Sequence, residues 1–255
     1  MAGDTESING DVSDNHGNRD AWVVKLDNTG NIECQKCLGG SNEDRAFSIQ
    51  LTSDGGYIVA GDTESINGDV SDNHGNRDAW VVKLDNTGNV EWQKCLGGNN
   101  NDIARCIIQT SDGGYIATGD TYSNDGDVSG NNGVSDAWVV KLDGTGNIEW
   151  QKCFGGSSSD FAYSIQQTSD GGYILAGNTN SNNGNVSGNH GYSDAWVLKL
   201  DNYGNLEWQK CLGGSFDDQA YSIQQTTDAG YIVAAHTNSY DGDVLETYGN
   251  DVFIV

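Results

Sequence analysis

Apolar and polar residues alternate along this chain in short runs separated by Gly- and Asn-rich stretches, and the same order of runs returns every 58 residues. Leu38-Gly39-Gly40, Leu96-Gly97-Gly98, Phe154-Gly155-Gly156 and Leu212-Gly213-Gly214 mark the period, and Gly3 to Asn31 is identical to Gly61 to Asn89. In one copy, Ala104 to Thr110 (ARCIIQT) predicts a first strand, with Ser111-Asp112-Gly113-Gly114 as a tight turn after it. Tyr115 to Gly119 (YIATG) predicts a second strand, followed by a long polar loop from Asp120 to Ser135. Asp136 to Asp143 (DAWVVKLD) and Ile148 to Phe154 (IEWQKCF), rich in β-branched and aromatic residues, predict the third and fourth. No segment holds a 3.6-residue apolar period long enough for a helix.

A unit of four short antiparallel strands in tandem predicts an all-β propeller of four-stranded blades. Trp138 and Val140 lie on one face of the third strand, Ala137 and Val139 on the other. A strand apolar on both faces is one covered on both sides, as when sheets stack. The expected division is a single propeller: a partial blade over 1–40, full blades over 41–98, 99–156 and 157–214, and a partial blade over 215–255. Five blades, two of them incomplete, are expected. A four-bladed ring closed by its terminal strands and an arc of a larger ring are the alternatives.

The string around Asp78-Ala79-Trp80, Lys83-Leu84-Asp85, Gly97-Gly98, Asp102 and Asp112-Gly113-Gly114 resembles the bacterial β-propeller repeat family often labelled SBBP. In strand order it is more distantly similar to NHL-type blades. The resemblance covers nearly the whole chain and implies an extracellular or cell-surface bacterial propeller. The long Asx-rich loop makes these units larger than the family's usual repeat.

Charge narrows the partners. The 255 residues carry a formal net charge of −25, so phosphate backbones and anionic lipid surfaces are repelled and nucleic acid is an unexpected partner. No run approaches a membrane span, so membrane insertion is not expected. The first residues show no signal-peptide pattern, and further domains in a longer parent chain are considered. Cys37, Cys95, Cys153 and Cys211 recur in the fourth strand and are expected as buried free thiols. Cys34 and Cys37, three apart on a strand, point to opposite faces. Lys36, Lys94, Lys152 and Lys210 are expected as edge-strand charges.

Two sets of side chains are candidates for a site. In the loop after the second strand, Asp125, Asp127, Ser129, Asn131 and Asp136 fall at positions 1, 3, 5, 7 and 12, with Gly130 at 6, the oxygen spacing of a calcium loop. Asn67, Asp69, Ser71, Asn73 and Asp78 repeat it with Asp72 in place of the Gly, and Asn183 to Asp194 repeat it with fewer carboxylates. Asp241 and Asp243 remain in the last copy, where the loop is one residue shorter. Calcium is one reading, with Asp125 to Asp136 the best site. Asx-turns ordering a long connection are the other.

Asp44, Asp102, Asp160 and Asp218 follow each Gly-Gly pair. They are read as locks between blades or as a ring of carboxylates at a channel mouth. The first strands differ from copy to copy at Phe47, Arg105, Tyr163 and Tyr221 and at Ser48, Cys106, Ser164 and Ser222, with no carboxylate pair among them. An axial-cavity glycosidase is therefore a minor alternative. The leading expectation is a non-catalytic module that binds glycan or protein, multivalent because its loops repeat. The next is a structural spacer of a larger surface protein.

Overall fold

The computed structural model describes residues 1–244 and 251–254. Among them there is no helix, and five open antiparallel sheets follow one another along the chain. The first holds β1 (Ala2–Thr5), β2 (Asp20–Leu26) and β3 (Ile32–Leu38). The second holds β4 (Asp44–Leu51), β5 (Tyr57–Thr63), β6 (Asp78–Leu84) and β7 (Val90–Leu96). The third holds β8 (Asp102–Gln109), β9 (Tyr115–Thr121), β10 (Asp136–Leu142) and β11 (Ile148–Phe154). The fourth holds β12 (Asp160–Gln167), β13 (Tyr173–Thr179), β14 (Asp194–Leu200) and β15 (Leu206–Leu212). The fifth holds β16 (Asp218–Gln225), β17 (Tyr231–Thr237) and β18 (Asp251–Ile254). All-β sheets of this kind are the blades that the repeat predicts.

The strand limits differ from expectation in one consistent way. First strands begin two residues early, at Asp102 instead of Ala104, and second strands run two residues late, to Thr121 instead of Gly119. The added residues are polar, but they extend the ladder: Asp44 pairs with Thr63 and Arg45 with Asp62. The opening Gly3-Asp4-Thr5 is second-strand sequence, and β1 accordingly pairs with β2.

The chain divides into two compact units. One comprises Met1–Ala117, Ser123–Val128 and Lys141–Glu149; the other comprises Thr118–Tyr122, Ser129–Val140 and Trp150–Val255. In the first, the second sheet lies against the first: Ala46, Val59, Trp80 and Leu84 share a core with Ala21, Val23 and Leu38. In the other, Ile174, Ala176, Ala195 and Val197 of the fourth sheet pack on Ala220, Ile223, Val233 and Ala235 of the fifth. The third strands β6, β10 and β14 are buried at every residue. Burying a Leu or Val side chain contributes about 1.5–3 kcal/mol, so these strands dominate the stability. Trp80 fits there because its indole N–H donates to Gln93 Oε1 at 2.8 Å.

Sheets also join through the backbone. The residue before β2, β6, β10 and β14 bridges, in parallel, the residue before the next first strand, as in Arg77 with Asn101 and Ser193 with Asp217. A β-bulge between Ala46 and Ser48 inserts Phe47. Opposite it, a Cβ on Gly61 would lie 1.7 Å from Arg45 O, which explains the glycine. The same bulge recurs between Ala162 and Ser164, against Gly177.

Candidate functional site

The Asx-rich loops and the Gly-Gly links form one hydrogen-bond network in each repeat. In the copy from Asn67 to Asp78, Asn67 Oδ1 accepts from the Ser41 amide at 2.9 Å and Asp69 Oδ2 from the Gly39 amide at 3.2 Å. Ser71 Oγ accepts from Gln93 Nε2. Asn73 donates from Nδ2 to Thr63 O and Ser65 O, while its Oδ1 accepts from the Gly75 amide. Asp78 Oδ2 accepts from the His74 amide at 2.9 Å and faces His74 Nδ1 at 2.7 Å. Of these five side chains, Asn67 and Asp69 engage the Gly39–Ser41 link, and Ser71, Asn73 and Asp78 bond elsewhere. The bonds are those of a loop pinned to the preceding Gly-Gly link.

The copy predicted as the best cation site is built alike. Asp125 accepts from the Asn99 amide at 2.9 Å and Asp127 from the Gly97 amide at 3.3 Å, all in the first unit. Ser129, Asn131 and Asp136 belong to the second unit. There Ser129 Oγ accepts from Gln151, Asn131 donates to Thr121 O, and Asp136 accepts from the Asn132 amide at 3.1 Å. Among the described residues, no group of three or more His, Cys, Asp or Glu stands as metal ligands would. In the last copy, Asp241 holds the Ser215 amide at 2.7 Å, and the rest of that loop, 245–250, lies outside the described residues.

The third-strand aspartates differ in their support. Asp20, Asp78 and Asp194 each face a His ring nitrogen at 2.7 Å, from His16, His74 and His190. Asn132 stands in that place beside Asp136. Burial, only partly offset by the Asn132 amide and reinforced by Asp160, pushes the Asp136 carboxyl up to about 6.

Asp44, Asp102, Asp160 and Asp218 are fully buried. Asp44 accepts from the Gly40 amide and from Ser65 Oγ, both at 2.8 Å, and from Thr63 Oγ1. Asp160 takes Gly156, Ser181 and Thr179 in the same way. These carboxylates tie the Gly-Gly link to the end of the second strand. Burial raises Cys37 to about 11 and Cys211 to about 12, leaving both as protonated, unreactive thiols at neutral pH.

The copies diverge on the first-strand face, and each unit presents its own version. In the first unit, Arg45 forks onto Asp62 at 2.9 and 2.8 Å and lies 5.5 Å over the half-exposed Phe47 ring. Asp62 is fully buried, and burial raises its pKa against the pull of Arg45. Arg77 stands 4.0 Å from Asp62 and pairs with Glu64. In the second unit the face is aromatic. Phe161 and Tyr163 stack with centroids 6.4 Å apart, and Tyr163 lies 5.4 Å from Tyr221. The Tyr221 hydroxyl donates to Gln219 Oε1 at 2.6 Å. Asn178 and His236 occupy the place of Asp62 there. Asp217, Gln219, Tyr221, His236 and Asn238 border a cavity of 470 Å³.

Sequence reasoning singled out Phe47, Arg105, Tyr163 and Tyr221 as variable but missed the second-strand series Asp62, Asp120, Asn178 and His236. The signal was present: the triplet reads GDT, GDT, GNT and AHT in the four copies.

No protein-family model matches the chain, and no curated protein matches it. Among solved structures, it is similar to the crystal structure of Sqt1 from Chaetomium thermophilum, at 13% identity and a TM-score of 0.37. The match covers 76% of this chain and 41% of that one.

Proposed function

We propose that this chain is a non-catalytic binding module, acting outside the cell or at its surface, that takes neutral glycans on the first-strand face of the fourth and fifth sheets. The row of Phe161, Tyr163 and Tyr221 carries the reading. A repeat that conserves its core has spent its variation on adjoining aromatic rings, and Tyr221 leaves 52% of its surface in solvent. Sugar rings present C–H faces that pack on aromatic planes, while Tyr hydroxyls and the Gln219 amide supply hydrogen bonds to sugar hydroxyls. A chain of charge −25 disfavours sulfated or uronate polymers. The shared buried carboxylates are committed to backbone amides and hydroxyls, which supports binding over catalysis.

A glycan array followed by calorimetry on the neutral hits tests this. Tyr163→Ala and Tyr221→Ala should each weaken binding by about tenfold with little change in thermal midpoint. Absence of any neutral-glycan hit, or binding that ignores both substitutions, would end the reading.

A further inference from the structure

Three of the repeats share one aromatic seat. Trp92 of β7 meets Tyr115 of β9 with ring centroids 5.7 Å apart and planes at 63°. Trp150 of β11 meets Tyr173 of β13 at 6.1 Å, and Trp208 of β15 meets Tyr231 of β17 at 5.7 Å. A turn glycine completes the first two seats. A Cβ on Gly146 would lie 2.8 Å from the Trp92 ring, and one on Gly204 would lie 2.7 Å from the Trp150 ring.

In the first sheet the tryptophan is missing. Cys34 of β3 stands 58 positions before Trp92, yet the rest of the seat is kept, with Tyr57 as the ring partner and Gly88 as the turn glycine. A Cβ on Gly88 would meet only Lys36 Cγ, at 3.7 Å. Where the siblings hold an indole, this repeat has an apolar cavity of 330 Å³ bounded by Cys34, Lys36, Ile49, Tyr57, Leu84 and Gly88. Cys34 is a free, partly exposed thiol.

We infer that this cavity is a binding site for a planar aromatic small molecule of indole size, which enters the seat that Trp92, Trp150 and Trp208 fill from within the chain. The occupant is specified by those three siblings. Tyr57 offers the tilted ring contact, and the walls are apolar. Engineered apolar cavities on the order of 150 Å³ already take up benzene. The thiol adds a soft, polarisable surface in place of the lost ring, and no covalent step is required. The site is independent of the proposed glycan face and stands on different residues.

Fluorine NMR of 5-fluoroindole titrated with the intact chain is the test, since the protein contributes no fluorine background. The native chain should broaden and shift the signal in a saturable way at millimolar ligand or below. Cys34→Trp should supply the ring internally, weaken fluoroindole binding by about tenfold or more, and raise the thermal midpoint by about 2–4 °C. Cys34→Ala should keep binding, and Trp92→Cys should open a second equivalent site. Absence of saturable binding to the native chain, or binding unchanged in Cys34→Trp, would overturn the proposal. A Cys34→Trp chain that fails to fold would also count against it, because the seat would then not admit an indole.

Discussion

The second and fourth sheets have the same strand lengths, the same bulge and the same glycine facing it, yet their first-strand faces are chemically opposite. One carries Arg45 forked onto Asp62 with Arg77 nearby; the other carries stacked Phe161 and Tyr163 over a neutral Asn178. Ala46 and Ala162, Trp80 and Trp196, Asp44 and Asp160 are buried alike in both. The frame is common to both sheets, while the side chains that pair on the face differ between them. The repeated loops, by contrast, use their polar side chains to hold the links between sheets.

Removing the polar centre of each face separates the two most sharply. Asp62→Ala leaves Arg45 without its carboxylate in a mostly buried position, and the expected loss is about 3 kcal/mol by urea unfolding. Asn178→Ala removes one neutral hydrogen bond to Ser193 at 2.9 Å, and about 1 kcal/mol should be lost. Equal losses would show that charge is not what distinguishes the faces.

A second contrast lies between the His-backed aspartates and Asp136. With its carboxyl raised to about 6, native Asp136 keeps a proton that the unfolded chain releases near its ordinary value of about 3.9. Its stabilising effect is thus complete below that lower pH and is lost as pH rises through about 6. Urea midpoints measured between pH 4 and 7 should fall less steeply in Asp136→Asn than in the native chain. Matching slopes would remove Asp136 from the titration.

The smallest effect is expected from calcium. The loop oxygens are engaged by amides such as those of Ser41, Gly39 and Asn99, so millimolar calcium should shift the thermal midpoint by less than about 1 °C, under about 0.5 kcal/mol. A rise of several degrees, lost in Asp127→Ala, would support the calcium reading and make the loops the active face.

Much of the frame was legible because its signals are local. Alternation in DAWVVKL and Gly at the turn positions predict strands and turns whichever neighbours surround them. The extra strand residues were not legible, because Asp102 joins β8 through its amide bond to Arg77 O, from the preceding repeat. Where each loop oxygen turns was not legible either, because spacing along a loop does not fix it. Asn67 and Asp69, two residues apart, reach different residues of the link before them.

Sequence alone determined the repeat, the four-strand unit and the buried third strand, since period, alternation and turn chemistry act over a few residues. Tertiary structure alone decided which carboxylates are buried against the Gly-Gly links and which rings stay exposed. It also decided that an apolar cavity lies beside Cys34, against Tyr57 and Leu84. Those outcomes depend on what a neighbouring sheet places opposite each side chain, and close packing turns a single missing ring into empty space.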